Sequence, residues 1–453
     1  MGLLTHTELR ARFAARLSAL YGTEVPAYTT LVEVSQEVNE RVLAREGSDA
    51  ERLGSIERVT AERHGAIRVG SPAELAQVGR VFGALGMSPC GFYDLRDVQP
   101  APVPVVSTAF RPLERDELAA NPFRVFTSVL VPEDRRFFDA DLEQRLRAFV
   151  DARRLFPDEL LSLADRAVAE GGLEERDAET FLALATGAFA LSPEPVDRGW
   201  YDELARVSGV AADIGGVTST HVNHLTPRVL DIDDLYASME ARGVAMIDRI
   251  QGPPRWEGPD VLLRQTSFRA LDEPRRFRLA DGAVVEGDLR VRFGEVEARG
   301  IALTPQGREL YDRMLAEVDA RAAEGGDRDE VARAVWAEHL PATEEELCLQ
   351  GLGFFTFRLV GDATAGTDLA ELVRSGAVVP EPIVYEDFLP RSAAGIFASN
   401  LTSGGTHDAT EGGAPRDLDW MSDVLGTRVA VPEEVYAAES AASWVEVQRR
   451  LAS

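Results

Sequence analysis

His64-Gly-Ala-Ile-Arg68 and His224-Leu-Thr-Pro-Arg228 read as one device written twice. Each places an arginine four residues after a histidine, in a run with strand character. Alternation along a strand points His64, Ala66 and Arg68 to one face, and likewise His224, Thr226 and Arg228. A third run, Phe293-Gly-Glu295-Val-Glu297-Ala-Arg299, puts Phe293, Glu295, Glu297 and Arg299 on one face. Two histidines and a carboxylate are the donors of a 2-His-1-carboxylate site, which covers one side of a metal and leaves positions for substrate and O2. The pattern predicts a mononuclear iron(II) oxygenase with His64, His224 and Glu295 as ligands.

The flanks of the two histidine runs match as well. After a strand over 63–69, Ser71-Pro72-Ala73-Glu74 supplies an N-cap serine, proline at the first helical position and a capping-box glutamate. The helix is expected to run to about Leu85, with Gly86 as its cap and strands near 104–109 and 123–131. After the second run, Asp231-Ile-Asp-Asp opens a helix ending at Arg242-Gly243. Strands are expected near 244–250, 261–270, 276–280 and 288–303, with a hairpin turn at Asp281-Gly282. The fold class predicted is α+β: paired βαβββ modules forming a central barrel-like sheet, with large helical insertions. The expected divisions are a helical segment over 1–60, modules over 61–135 and 216–304, a helical insertion over 136–215, and a helical and irregular part over 305–453. The glycine-rich stretch 403–413 reads as a loop or lid.

Composition narrows the function. With 453 residues the chain is too long for one simple core. A net charge of −28 repels nucleic acid and anionic membranes. There is no lysine, which excludes Schiff-base chemistry on lysine and an ordinary P-loop. Arginine remains, and it suits bidentate binding of carboxylates. Cys90 and Cys348 are the only cysteines, so no disulfide framework is expected. No apolar run resembles a signal peptide or a membrane span, and His6 stands where a myristoylation signal wants Ser or Thr. A reducing cytoplasm is the expected location.

Each residue also has a plainer reading. His64 fits a hydrogen-bonded core histidine, Glu295 a partner for Arg299, and Arg68 and Arg228 solvated surface cations. His221 and His224 are three apart, so a regular strand turns them to opposite faces and only one points inward. Along a strand the Cα atoms of His64 and Arg68 are about 13 Å apart. A long arginine side chain shortens that gap enough to hold the far carboxylate of a dicarboxylic acid whose other end is on the metal.

Four runs together resemble one family. They are His221-Val-Asn-His-Leu-Thr-Pro-Arg228, Phe293-Gly-Glu-Val-Glu-Ala-Arg-Gly-Ile-Ala-Leu-Thr304, Tyr385-Glu-Asp-Phe-Leu-Pro390 and Ser392-Ala-Ala-Gly-Ile-Phe397. They resemble the 2-oxoadipate dioxygenase/decarboxylase family, over about residues 60 to 400. The resemblance implies a vicinal-oxygen-chelate fold and conversion of 2-oxoadipate and O2 to 2-hydroxyglutarate and CO2 by iron(II), in lysine breakdown. It implies His64, His224 and Glu295 as metal ligands and Arg68 as a catalytic, substrate-binding arginine. Arg228 and Arg391 are further candidates for the substrate. Arg391 follows Phe-Leu-Pro where the family is expected to carry a small apolar residue. The run Phe293-Gly-Glu-Val-Glu-Ala-Arg299 is also similar to the ligand strand of 4-hydroxyphenylpyruvate dioxygenase. Another metalloenzyme of the same fold, or a module that binds its ligand without catalysis, remains an alternative.

Overall fold

The computed structural model describes residues 2–99, 102–289, 292–360, 368–390, 392, 396, 399–400 and 413–452. Helices α1 (His6–Glu24), α2 (Pro26–Glu46) and α3 (Ile56–Ala61) precede β1 (Arg63–Val69). The capping signals at Ser71 act as expected. Its side chain accepts from the Glu74 amide, and α4 (Pro72–Gly83) follows with proline in its first turn. Strands β2 (Ser88–Asp94), β3 (Val105–Arg111) and β4 (Arg124–Leu130) complete the first half. The sequence reading leaves out β2, because Pro89 and Gly91 interrupt its strand pattern. The central sheet runs β2-β3-β4-β1 and then β5 (Val222–Pro227). In it β1 is parallel to β4 and antiparallel to β5.

The sheet is covered on both faces, which is why its strands are almost continuously buried. Ile67, Val69, Val125, Val129, Val222 and Leu225 face one core, shared with α1, α2 and α4. Ala66, Ala109, Phe126 and Leu130 face the other. Val222 and Leu225 share a face although three apart. The register explains this: Ala66 pairs with His224 and Ile67 with Val222, so Asn223 is the extra residue of a β-bulge. The bulge corrects the expectation for His221. It turns His221 and Asn223 to the same side as His224.

The stretch 140–215 is mostly helical, as its period predicts, and includes α5 (Arg198–Val207) and the short helix Gly209–Gly215. After β5, the Asp231 side chain caps the helix Ile232–Ala241. Of the four strands expected next, the first is reduced to single bridges, Met246 to Phe268 and Gln251 to Gln265. β6 (Leu263–Ser267) pairs antiparallel with the strand Glu295–Arg299, and a parallel bridge from Arg228 to Glu297 returns that strand to the end of β5. The neighbour order is that of the first half. Between these strands, Glu273–Arg278 and Val284–Leu289 form a hairpin that pairs with Val196–Asp197 instead of the central sheet. The turn is at Asp281-Gly282, as expected, with Gly282 at φ +85°. Its outer strand is mostly exposed, so the burial that would hold it in the central sheet is missing.

The helices Pro305–Ala323 and Arg328–His339 and the strand Phe355–Leu359 fall where their patterns predict. No helix among the described residues is long and apolar enough to cross a membrane. Arg391 and the stretch 403–412 lie outside the described residues.

Candidate metal centre

Three separate strands deliver His64, His224 and Glu295 to one point. One ligand atom from each lies within 4.8 Å of the others, and all three side chains are buried. The rings of His64 and His224 meet edge to face, with centroids 5.1 Å apart. His64 also meets Phe388 at 4.5 Å, and His224 stacks on Phe293 at 5.8 Å.

Each ring is oriented by its Nδ1. His64 Nδ1 lies 3.0 Å from Glu297 Oε2, and His224 Nδ1 lies 3.0 Å from Thr226 Oγ1. This leaves Nε2 of each ring for a third partner. His224 Nε2 lies 3.4 Å from Glu295 Oε1, and Gln265 Nε2 lies 3.5 Å from Glu295 Oε2. Buried imidazoles tied at Nδ1 with Nε2 turned inward are the usual arrangement of histidine ligands.

Electrostatics fits a cation here. Burial, with help from the nearby charge of Glu297 and against Arg68, pushes the Glu295 carboxyl up to about 8. Burial pulls both histidines down, His224 furthest, so both rings are neutral near pH 7. A buried carboxylate with two neutral imidazoles lacks a positive charge, and a divalent metal would supply it. The three residues could hold such an ion. One other cluster among the described residues has comparable geometry: Glu317, Glu338 and His339. It is more exposed, and Arg321 already donates to both glutamates.

Behind the site lies a buried web of arginines and carboxylates. Glu297 accepts from Arg299 Nε at 2.8 Å and from Arg124 Nη1 at 3.5 Å. Glu62 accepts from Arg124 at 2.8 Å and from Arg228 at 3.1 Å. Glu386 accepts from Arg124 at 2.6 Å and also from Arg58. Glu295 therefore does not pair with Arg299, whose partner is Glu297. Arg228 is not solvated; it donates to Glu62 and to the Leu53 carbonyl. Arg68 is buried too, and donates to Asp213. The residues of Tyr385-Glu-Asp-Phe-Leu389 divide the work. Glu386 joins the web, Asp387 takes a bidentate Arg111 at 2.9 and 3.0 Å, and Phe388 covers His64.

Sequence reasoning did not single out Glu62, Arg124, Asp213 or Glu386. Glu62 lies only two residues before His64 and Glu386 falls inside the Tyr385–Pro390 run, but no local pattern says which arginine any of the four will meet. Glu297 was legible as a face-mate of Glu295.

The model of the 2-oxoadipate dioxygenase/decarboxylase family matches residues 13–400. The chain belongs to this family. A 2-oxoadipate dioxygenase/decarboxylase of Mycobacterium tuberculosis is 57% identical over 435 residues, covering 95% of this chain and 96% of that protein. The crystal structure of the hydroxyglutarate synthase of Pseudomonas putida in complex with 2-oxoadipate superposes with a TM-score of 0.84. It is 36% identical and is matched over 100% of this chain and 99% of its own. A protein of Ralstonia eutropha assigned to the glyoxalase superfamily matches at a TM-score of 0.50 and 21% identity, covering 66% of this chain and 85% of its own, which is a likeness of fold alone.

Proposed function

We propose that this chain is an iron(II)-dependent dioxygenase/decarboxylase converting 2-oxoadipate and O2 to 2-hydroxyglutarate and CO2. The observation that carries the reading is the buried convergence of His64, His224 and Glu295 in a chain of this family. Iron(II) is the choice because two histidines and one carboxylate on one side of the ion suit oxygen-activating iron. When bound, the metal would supply open positions for a 2-oxo acid and the electrons that O2 activation needs.

The protein's own residues orient and seal. Glu297 and Thr226 fix the two rings through Nδ1. Phe293 and Phe388 pack against them and exclude water. Arg68, on the strand face of His64, binds the carboxylate at the far end of the substrate. The partners of Arg228 favour a supporting role in the web, and Arg391 remains a candidate for substrate fit. The substrate is then a small 2-oxo dicarboxylic acid, and the high negative charge argues against nucleic acid or membrane partners. A cytoplasmic enzyme fits the same reading.

The finer fold follows the same line. The matching neighbour order of the two halves and the likeness to a glyoxalase-superfamily protein support two vicinal-oxygen-chelate modules around one barrel-like cavity. The modules would span 61–135 and 216–304, with 1–60, 136–215 and 305–453 as the helical segment, the insertion and the C-terminal part.

The test is anaerobic loading with iron(II), followed by a panel of 2-oxo acids with O2. Stoichiometric O2 uptake and CO2 release with 2-oxoadipate is expected. Turnover without O2 uptake would point to an isomerase or lyase of the same fold. Tight binding without turnover would point to a sequestration module.

A further inference from the structure

The bulge at Asn223 does more than aim His224. It puts His221 and Asn223 on the metal side of the sheet, beside Asp213 from the helix Gly209–Gly215. Asp213 is buried and fully engaged. Its Oδ2 accepts from Arg68 Nη1 and from Asn223 Nδ2 at 2.8 Å. Its Oδ1 lies 3.2 Å from His221 Nε2. The same stretch grips the main chain of Arg68, because Thr220 Oγ1 donates to the Arg68 carbonyl at 2.8 Å. Thr220 to Asn223 and Asp213 thus brace one arginine at both its backbone and its guanidinium.

A free arginine side chain has many rotamers to lose on being fixed. Holding it still before substrate arrives removes that cost and fixes where a bound carboxylate must sit. Burial alone would raise the Asp213 carboxyl, but His221 and Arg68 outweigh it and hold it well below the usual carboxylate range. Tyr201 of α5 and Arg275 of the hairpin are further groups in electrostatic reach of that carboxylate.

We infer that Asp213 and His221 are positioning residues that aim Arg68 and so set the preference of the site for 2-oxo acids with a second carboxylate. The inference rests on the reading above that Arg68 binds the far carboxylate. It concerns the insertion as much as the sheet, since Asp213 comes from the helical segment between the two halves.

The test compares 2-oxoadipate with 2-oxohexanoate, which lacks the far carboxylate, on the iron-loaded full chain. Asp213→Asn keeps the shape and removes the charge. Its ratio of kcat/KM for the two substrates is expected to fall at least about fivefold, more through kcat than KM, because the guanidinium is retained but no longer aimed. Calorimetric binding of both acids without O2 gives a second readout, in which the affinity gap between them narrows. Equal losses on both substrates, or an unchanged ratio, would overturn the inference. If Asp213→Asn does not fold, His221→Asn decides: the ratio falls about twofold or more, and an unchanged ratio overturns the inference. Arg68→Ala is run in parallel. If it fails to discriminate, the reading of Arg68 falls. If it discriminates and Asp213→Asn does not, only the positioning role falls.

Discussion

His64 Nδ1 and Glu297 Oε2 lie 3.0 Å apart, with both side chains almost wholly buried. Burial opposes the charge on Glu297, but Arg299 and His64 outweigh it and hold the carboxyl at about 2. The charged carboxylate makes Nδ1 the donor and leaves the Nε2 lone pair for the candidate metal position. Glu297→Gln is expected to weaken metal binding about 10- to 100-fold, measured by competition with a chelator. Unchanged affinity would mean that packing alone orients the ring.

Removing any of His64, His224 or Glu295 by alanine should cost more than this, about 100-fold or beyond. His221→Ala should retain metal, since its Nε2 faces Asp213. Metal per chain, measured by elemental analysis after dialysis, checks both. Loss of metal in His221→Ala with retention in His224→Ala would reverse the assignment.

Metal affinity should depend on pH. The Glu295 carboxyl is pushed up to about 8, so below that pH metal must displace a proton. The two histidines are pulled down and bring no competing proton near neutrality. Affinity should therefore rise about tenfold per unit from pH 6 toward 8 and then level off. A flat profile in a titration with an oxygen-inert divalent ion would refute a protonated Glu295 in the metal-free protein.

Arg68→Ala should retain iron and lose turnover of 2-oxoadipate. A buried arginine–carboxylate contact costs roughly 2–5 kcal/mol to break, about 30- to several-thousand-fold in kcat/KM. The loss should be smaller with 2-oxohexanoate. Equal losses would direct attention to Arg391.

Glu62 is 0% exposed and accepts from Arg124 and Arg228, with Arg299 Nε at 3.2 Å. Glu62→Ala leaves these cations short of a buried partner and should destabilise the fold by about 3–5 kcal/mol. Denaturant unfolding measures it. A change under about 1 kcal/mol would mean that Glu297 and Glu386 carry the web without it.

Local chemistry was readable where it is written locally. The Ser71 cap, the helix after Asp231, the turn at Asp281-Gly282 and the strands that carry His64, His224 and Glu295 each follow from a few adjacent residues. Period-two alternation sufficed to place His64 and Arg68 on one face and Glu295 and Glu297 on another. The strand β2 was missed because proline and glycine mask its pattern, and of the expected strand over 288–303 the start belongs to the hairpin strand Val284–Leu289 while Glu295–Arg299 forms a strand of its own.

What only the tertiary structure decided is who meets whom. The bulge that turns His221 and His224 to one side exists because β5 pairs with β1 in a shifted register, and that register is set by burying Val222 and Leu225 together. The partners of the arginines are equally remote. Arg68 finds Asp213 in the insertion, and Arg228 finds Glu62 ahead of the first strand. The sequence by itself determined the donor types and their strands, because alternation and capping are short-range. It left the pairings open, because a buried charge is stabilised by whichever opposite charge the packed chain brings within reach.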